Sequence, residues 1–293
     1  MTSLKAQGSR LKADTSTALS LQPSAFSAVR LGACWRTAAV AAVVALAPVV
    51  WPSEAQGFGF SVEPARVQIS VPAGKRRGQT LTVRNDRPDE AIHFTVYVRD
   101  VIHLPDGTHD YPPPGSTEWS GASWIQVVPT ELEVPAGGSR DVRVSVLAPP
   151  DAAGGHYAVV FFEAGPSYAG QEGISVNFRV GAIVEAVVRG TERVAAQLQD
   201  VAFSEPSAIR AEVFNGGNVL IRPAGSVRVF GVDGQKVRQV PFNPSLLGVL
   251  PRTLRSISSP IAEPLPPGRY RARVELDYGA STLLVGEHAF VVP

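Results

Sequence analysis

The sequence predicts an all-β protein whose main part consists of two tandem β-sandwiches behind an N-terminal export signal. From Phe58 onward, short runs of alternating apolar residues are separated by Gly, Pro, Asn and Asp, and no long segment repeats with a helical period. The 27 glycines and 25 prolines are spread along the chain, as expected where turns join many short strands. The length of 293 residues suits two domains of ordinary size.

The N-terminal segment differs in composition from the rest of the chain. Before residue 37 it carries basic side chains and a single acid: Lys5, Arg10, Lys12, Arg30, Arg36 and Asp14. The uncharged run 37–51 is shorter than the roughly 20 residues of a membrane-spanning helix. Ser53 and Ala55 then form the small-x-small pattern of a signal peptidase site. We predict a signal peptide over residues 1–55 with cleavage after Ala55; the alternative is an uncleaved N-terminal anchor.

Charge and cysteine content exclude several classes of function. The formal net charge is +1 and charged residues make up 18% of the chain, so no overall field attracts nucleic acid or anionic lipid. Cys34 is the only cysteine and lies within the predicted signal. We therefore expect no nucleic-acid partner, no disulfide and no thiolate metal site in the mature protein.

Residues 56–173 have the strand pattern of an immunoglobulin-like domain. Apolar residues alternate at Val67, Ile69 and Val71, and the same alternation returns over 92–98 and 142–146. A turn at 105–107 and a proline-rich stretch at 111–115 interrupt the pattern and predict a long surface excursion. About seven strands in roughly a hundred residues is typical of such a sandwich, which we expect to be antiparallel.

The run from Ile174 to Val188 is too long for a single ordinary strand. Every second residue is apolar over a length of about 50 Å. We predict that its first half is an edge strand of domain one, that Gly181 permits a bend, and that its second half runs toward domain two. The chain thus divides into domain one (56–173), a shared edge strand or linker (174–190) and a second immunoglobulin-like domain (191–293). In domain two we predict strands over 208–214, 219–221, 227–230, 237–240, 269–277 and 282–292.

The sequence offers little for catalysis. It contains no Gly-x-Ser-x-Gly elbow, P-loop or His-Glu-x-x-His element. His103 and His109 flank Asp106 and Asp110, a set that could bind a metal, but the polarity of a solvated loop explains them as well. We predict a protein that is not an enzyme, with no catalytic residue, cofactor, metal site or small-molecule substrate.

Two binding features stand out, each with a plainer explanation. Ile174, Val176, Phe178 and Val180 could offer an open strand edge on which another chain adds a strand, or could fill the core of domain one. Trp119 and Trp124 could form an aromatic platform for carbohydrate, or could belong to the core.

Several segments together resemble the periplasmic pilus-assembly chaperones, a family with tandem immunoglobulin-like domains. The segments are Phe60–Val67, Thr82–Asn85, Pro129–Val146, Tyr157–Phe162 and the alternating run that ends in Val188-Arg189-Gly190. In that family an edge strand of the first domain completes an incomplete pilin subunit, and a basic pair in the cleft holds the carboxyl end of the client. The resemblance places Arg66 at one basic position, whereas Ile183 occupies the position of the second and Arg179 lies on the polar side of the strand.

The leading hypothesis is a periplasmic chaperone-like protein that binds secreted fibre or pilus subunits by strand addition through Arg66, Ile174, Val176, Phe178 and Val180. Its expected partners are pilin-like or other envelope subunits, with an outer-membrane usher as a further one. The alternative is a surface structural or adhesive protein whose paired domains bind cell-wall polymer or an envelope protein.

Overall fold

The computed structural model describes residues 59–104, 108–165, 167–168, 175–205 and 207–293, with only the backbone at 167–168 and 175–176. The predicted signal peptide, Cys34, Asp106 and Ile174 lie outside the described residues. All described residues belong to one compact unit. Within them, no helix is long and apolar enough to cross a membrane.

The first sandwich has two sheets with a common core. One contains β1 (Phe60–Glu63), β3 (Arg76–Asn85), β7 (Ile125–Val128) and β9 (Ser139–Leu147), in the order β1-β3-β9-β7. The other contains β2 (Arg66–Val71), β4 (Ile92–Arg99), β8 (Glu131–Val134), β10 (Gly154–Ala164) and β13 (Arg179–Val188), in the order β2-β13-β10-β4-β8. Alternate side chains of the two sheets, such as Leu81 and Phe162, are fully buried against each other's layer.

The second sandwich repeats this construction with fewer strands. One sheet contains β14 (Ala196–Ser204), β15 (Ala208–Asn215) and β18 (Leu254–Pro260) in sequence order. The other contains β16 (Ala224–Gly231), β17 (Lys236–Phe242), β19 (Gly268–Asp277) and β20 (Leu284–Val292), in the order β17-β16-β19-β20. Both sheets supply residues to one core, including Val213 and Val274. The predicted all-β fold with two immunoglobulin-like sandwiches is confirmed.

Two short strand pairs and one turn complete the described fold. Strand β5 (Ile102–His103) pairs with β6 (His109–Asp110), and β11 (Ser167–Tyr168) pairs with β12 (Ser175–Val176). A single 3-10 turn, η1 (Ala122–Trp124), leads into β7.

The N-terminal strand of the first sandwich changes sheets. Strand β1 pairs antiparallel with β3, whereas β2, only two residues later, pairs parallel with β13 in the opposite sheet. The prediction of a purely antiparallel sandwich is therefore wrong at this pair. The reason is topological, because a strand that crosses to the other sheet meets the last strand of the domain running in its own direction.

Strand β13 lies wholly within the first sandwich. It pairs antiparallel with β10 from Arg179 to Val188, and its second half, from Ile183, also pairs with β2. The prediction that this second half runs toward domain two is wrong. Its alternating small and apolar residues, among them Ala182 and Val184, instead fill the core of the first sandwich.

No strand forms at 219–221, where one was predicted, and Ile221 makes only an isolated bridge with Val249. The sequence analysis missed β14 and β18, the two strands that pair with β15. The inward-facing positions of β18 are Arg255, Ile257 and Ser259, so polar side chains interrupt its apolar alternation.

The described residues of the long excursion, 100–104 and 108–124, pack onto the outer face of the β10 sheet. Buried Asp100 fixes its course: one carboxylate oxygen accepts the Ser120 hydroxyl, and the other accepts the backbone N–H groups of Ser116 and Thr117. Tyr111 and Trp119 then cover a second cluster on that face.

This outer cluster joins the two sandwiches. Its buried members are Val101, Tyr157, Val159, Phe161 and Leu250, of which Leu250 comes from the second sandwich. The backbone N–H of Leu220, also in the second sandwich, donates to the Tyr157 hydroxyl. Strand β10 is therefore buried on both faces, and a cleft lies beside it between the sandwiches.

Candidate binding edge and cleft between the sandwiches

The first half of β13 has an unpaired side within the described part of the chain. Strand β2 begins at Arg66, opposite Ile183, so no described strand follows β13 on that side from Arg179 to Ala182. Phe178 accepts from Ala164 on the β10 side, and Ile183 donates to Ala65 on the β2 side. By the alternation of an antiparallel pair, the N–H and C=O groups of Arg179 and Gly181 face the open side.

One face of this open edge belongs to the core of the first sandwich. Phe178 and Val180 are half-buried and pack against that core. The open-edge role and the core role that the sequence allowed therefore both apply to these two residues. They contribute to the core of the first sandwich and also border the open edge. Val176 lies in β12, where its backbone pairs with Ser167.

The other face of the edge is aromatic and basic. The Arg179 guanidinium carbon lies 4.7 Å from the centre of the Phe161 ring and 5.9 Å from that of Tyr111. Arg179 also donates to the Tyr97 hydroxyl over 3.4 Å, and that hydroxyl donates to Glu163 over 2.7 Å. Burial, with the hydrogen bond to Glu163, raises the pKa of Tyr97 above its usual value. These contacts hold the Arg179 side chain flat on the sheet beside the open edge.

Gly181 is required by close approach rather than by a bend. A Cβ atom at this position would lie 2.6 Å from Val159 Cγ1 and 3.0 Å from Phe161 Cε1. Gly181 pairs directly with Phe161 across β13 and β10, so the strand continues through it. The predicted bend is not found.

A cleft of about 390 Å³ continues from this edge toward the second sandwich. Its walls are apolar at Val159, Phe161, Ile183 and Leu250. Its charged and titratable lining residues are Arg66, Arg179, Arg222, Arg255, Glu185, His103, His109, Tyr111 and Tyr157. Among the described residues, the lining thus carries four guanidinium groups and one carboxylate.

The carboxylate of Glu185 in β13 pairs with arginines from β2 and from the second sandwich. Its residue is only 4% exposed, although it projects from the middle of β13. One oxygen forms an ion pair with Arg66 Nε at 3.2 Å and accepts a hydrogen bond from Arg222 Nη2, which belongs to the second sandwich. The Arg66 side chain remains 52% exposed, so the predicted basic residue lies at the cleft but already has an internal partner.

Arg255 and His103 form a second polar group in the cleft. Arg255 Nη1 donates to the Gly248 carbonyl and approaches His103 Nδ1 at 3.2 Å. Because a guanidinium can only donate, His103 Nδ1 accepts, which places the ring proton on Nε2. Burial, the charge of Arg255 and His109 together lower the pKa of His103 to about 3.

The predicted residues of the site only partly converge. Arg66, Phe178 and Val180 lie around the edge and the cleft, as does Arg179. Ile183, at the expected second basic position, lines the cleft opposite Arg66 in the strand pairing. Sequence reasoning missed Glu185, Arg222 and Arg255. A signal was present for Glu185, because it is the single acid in the apolar stretch 180–188.

The two tryptophans do not form a common platform. Trp119 packs on the outer cluster and donates its indole N–H to the Val101 carbonyl, whereas Trp124 packs against the core of the first sandwich. Trp124 also lies against His156, with ring centres 3.7 Å apart. The expectation of a core role fits both residues. Among the residues that the structure describes, no group of three His, Cys, Asp or Glu side chains is arranged to hold a metal ion.

Comparison with known proteins adds a likeness in fold. The chain is similar in structure to solved fimbrial chaperones. The class 5 fimbriae chaperone CfaA matches with a TM-score of 0.46 and 15% identity, covering 80% of this chain and 99% of that one. A chain from the Salmonella enterica complex of the SafA pilin with the SafB chaperone matches with a TM-score of 0.44 and 16% identity, covering 81% and 98%. The E. coli chaperone DraB matches with a TM-score of 0.41 and 15% identity, covering 80% and 95%. No family model and no curated protein sequence matches the chain.

Proposed function

We propose that this protein is a periplasmic chaperone-like protein that binds secreted subunits of a surface fibre by strand addition. The open edge of β13 from Arg179 to Ala182 carries the proposal, because the polar groups of Arg179 and Gly181 face away from β10 with no described strand beside them. Unpaired strand edges of this kind are templates for an incoming strand.

The surroundings of the edge support a peptide ligand rather than a small substrate. Half-buried Phe178 and Val180 border one face, and the ring of Phe161 under Arg179 borders the other. A strand added here alternates its side chains between these two faces. The apolar and aromatic contacts favour a client segment with large apolar residues, bound without chemical turnover.

The proposal includes the wider organisation of the chain. Residues 1–55 direct export and are removed after Ala55, and the mature protein works in the periplasm with an outer-membrane usher as a further partner. The domains are 56–173 and 191–293, with 174–190 supplying the client-binding strand. The described part of that strand belongs to the first sandwich.

A pair of substitutions at one position tests strand addition. Arg179→Pro removes the backbone N–H that faces the open side, at the first residue of β13 where proline is tolerated. Arg179→Ala loses the same side chain but keeps the N–H, and therefore serves as the matched control. Tagged protein is isolated from the envelope fraction, and co-purifying secreted proteins are identified by mass spectrometry.

The expected result is that a secreted subunit co-purifies with the parent protein and with Arg179→Ala but is lost with Arg179→Pro. In the isolated complex, hydrogen exchange at the amides of Arg179 and Gly181 slows relative to the free protein. Equal capture by both variants, or unchanged exchange at these amides, contradicts strand addition at this edge.

A further inference from the structure

The sheet β1-β3-β9-β7 of the first sandwich carries arginines and apolar side chains on its outer face. The valines of β9 point into the core, which leaves Arg143 and Leu147 on the outer side of that strand. In the strand pairing, Arg76 of β3 lies opposite Leu147, and Val128 of β7 lies opposite Arg143. All four side chains are exposed. We call the surface formed by these four residues the basic face.

The cations of the basic face have no carboxylate partner in the described part of the chain. None of the ion pairs between described residues includes Arg76 or Arg143, nor Lys75 or Arg77 on either side of Arg76. Arg76 donates only to the uncharged side-chain oxygen of Gln126, over 3.0 Å. Four positive charges therefore lie at this end of the sheet without internal compensation.

The acidic side chains of the same sheet lie toward its other end. Glu63 and Asp141 flank Thr82 in the strand pairing, and Asp141 accepts the Thr82 hydroxyl at 2.8 Å. Thr82 is six residues from Arg76, which is about 20 Å along a strand. The charge of this sheet is thus separated along its length, although the formal net charge of the whole chain is only +1.

Apolar side chains are exposed among these cations. Val128 is 55% exposed and Leu147 is 46% exposed, and each lies directly opposite an arginine. Small residues, Gly78 and Ser145, oppose each other between them, so the middle of the face stays low. The surface of an anionic bilayer matches this arrangement, because it presents phosphates to cations and hydrocarbon to apolar groups at nearly the same depth.

We propose that the basic face docks on the surface of an anionic phospholipid bilayer. Arg76 and Arg143 bind headgroup phosphates, while Val128 and Leu147 enter between the headgroups. The alkyl stems of the arginines can lie along the same apolar layer with their charged ends at the phosphates. The open edge of β13 belongs to the other sheet of the sandwich, so this inference does not depend on strand addition.

Vesicle sedimentation measures this docking with three double variants. Arg76→Gln/Arg143→Gln removes the two cations, and Val128→Ser/Leu147→Ser removes the apolar contacts. Arg193→Gln/Arg269→Gln removes two exposed arginines outside the basic face and is the matched control for charge. The vesicles are either pure phosphatidylcholine or an equimolar mixture with phosphatidylglycerol. All proteins carry the same N-terminus, so the apolar run 37–51 contributes equally wherever it is retained.

We expect the parent protein to prefer the anionic vesicles, and the loss of each arginine from the basic face to lower its partition coefficient about fivefold, or about 25-fold for the pair. The control should change it less than about twofold, a margin small beside one such charge. The apolar variant should also bind more weakly but keep the preference for anionic vesicles. Raising the salt from about 0.1 M to about 1 M should weaken binding of the parent, since the Debye length falls from about 10 Å to about 3 Å.

Equal losses in the basic-face and control variants would overturn the proposal, because the attraction would then depend on total charge. Unchanged binding of the apolar variant, or salt-independent binding of the parent, would also contradict it. Poly-glutamate, followed by fluorescence anisotropy, represents an acidic polypeptide. Its capture through Arg76 and Arg143 without any binding to vesicles would assign the basic face to a protein partner instead of a bilayer.

Discussion

Glu185 of the first sandwich and Arg222 of the second form an ion pair across the cleft, and Arg66 binds the same carboxylate oxygen. Since the Glu185 side chain is almost fully buried, its charge depends on these two arginines rather than on water. The pair therefore links the strand that carries the open edge to the neighbouring sandwich.

Substitution of Glu185 by glutamine should destabilise the protein. The change removes the common counter-charge of Arg66 and Arg222 from a buried position. We expect the free energy of unfolding to fall by about 2 kcal/mol. This is less than the usual cost of breaking a buried ion pair, because the Arg66 side chain reaches solvent. Urea unfolding measures the change. Arg84→Gln, which breaks the exposed pair with Asp86, is the control and should alter stability by less than about 0.5 kcal/mol. Equal effects of the two substitutions would show that Glu185 has no special role.

Removal of the Tyr157 hydroxyl should weaken the contact between the sandwiches. In Tyr157→Phe the backbone N–H of Leu220 loses its acceptor in a buried cluster, which we expect to lower stability by about 1–2 kcal/mol. Tyr270→Phe removes a hydroxyl that donates to the exposed Pro266 carbonyl and should have a smaller effect. Thermal unfolding of both variants provides the comparison, and a loss at Tyr270 as large as that at Tyr157 would refute the assignment.

Acidification should destabilise the fold through His103. Its pKa is about 3 in the folded protein, mainly because of burial, against an ordinary value of 6.5. Above pH 6.5 the imidazole is neutral in both states; as pH falls toward 3, the unfolded chain binds a proton that the folded chain does not, and stability declines. His103→Gln should reduce this pH dependence of the urea midpoint, whereas His93→Gln, at an exposed site, serves as the control. An NMR titration in which His103 protonates near pH 6.5 would contradict the prediction.

A methyl group at Gly181 should disturb the sheet beside the open edge. Gly181→Ala places a Cβ atom 2.6 Å from Val159 Cγ1, and we expect a loss of about 1–2 kcal/mol from the forced repacking. Gly216 offers a matched control, because the nearest atom to an added Cβ there is 3.6 Å away. Chemical unfolding that ranks Gly216→Ala as the more damaging change would be inconsistent with this account.

Alternation along the sequence predicted most of the strands with one apolar face. The inward residues of β2 and β4, such as Ile69 and Phe94, are buried as their spacing indicates. The same rule places Arg179 on the face opposite Phe178. Strand β18 escaped detection because the buried positions Arg255 and Ser259 are polar, and their partners come from distant segments.

The site could be predicted only in part because its geometry depends on pairing between distant segments. The open edge exists because β2 starts opposite Ile183 and not opposite Arg179, and strand register across more than a hundred residues is not encoded in local spacing. Likewise, Glu185 meets Arg222 only when the second sandwich docks beside β10. The sequence predicted the excursion because it interrupts the strand pattern. That the excursion packs over Phe161 and places His103 beside Arg255 follows from tertiary packing alone.

The point at which the N-terminal strand crosses between sheets limits the affinity that a client strand could gain from main-chain pairing. Within the described residues of β13, the proposed client strand could pair only with the stretch from Arg179 to Ala182 before it met β2 at Arg66. With main-chain hydrogen bonds each worth about 1 kcal/mol net, so short a ladder gives only transient attachment. Under the proposed function, side-chain contacts would therefore supply most of the affinity for the client. A client bound so weakly by its main chain could dissociate without the input of energy.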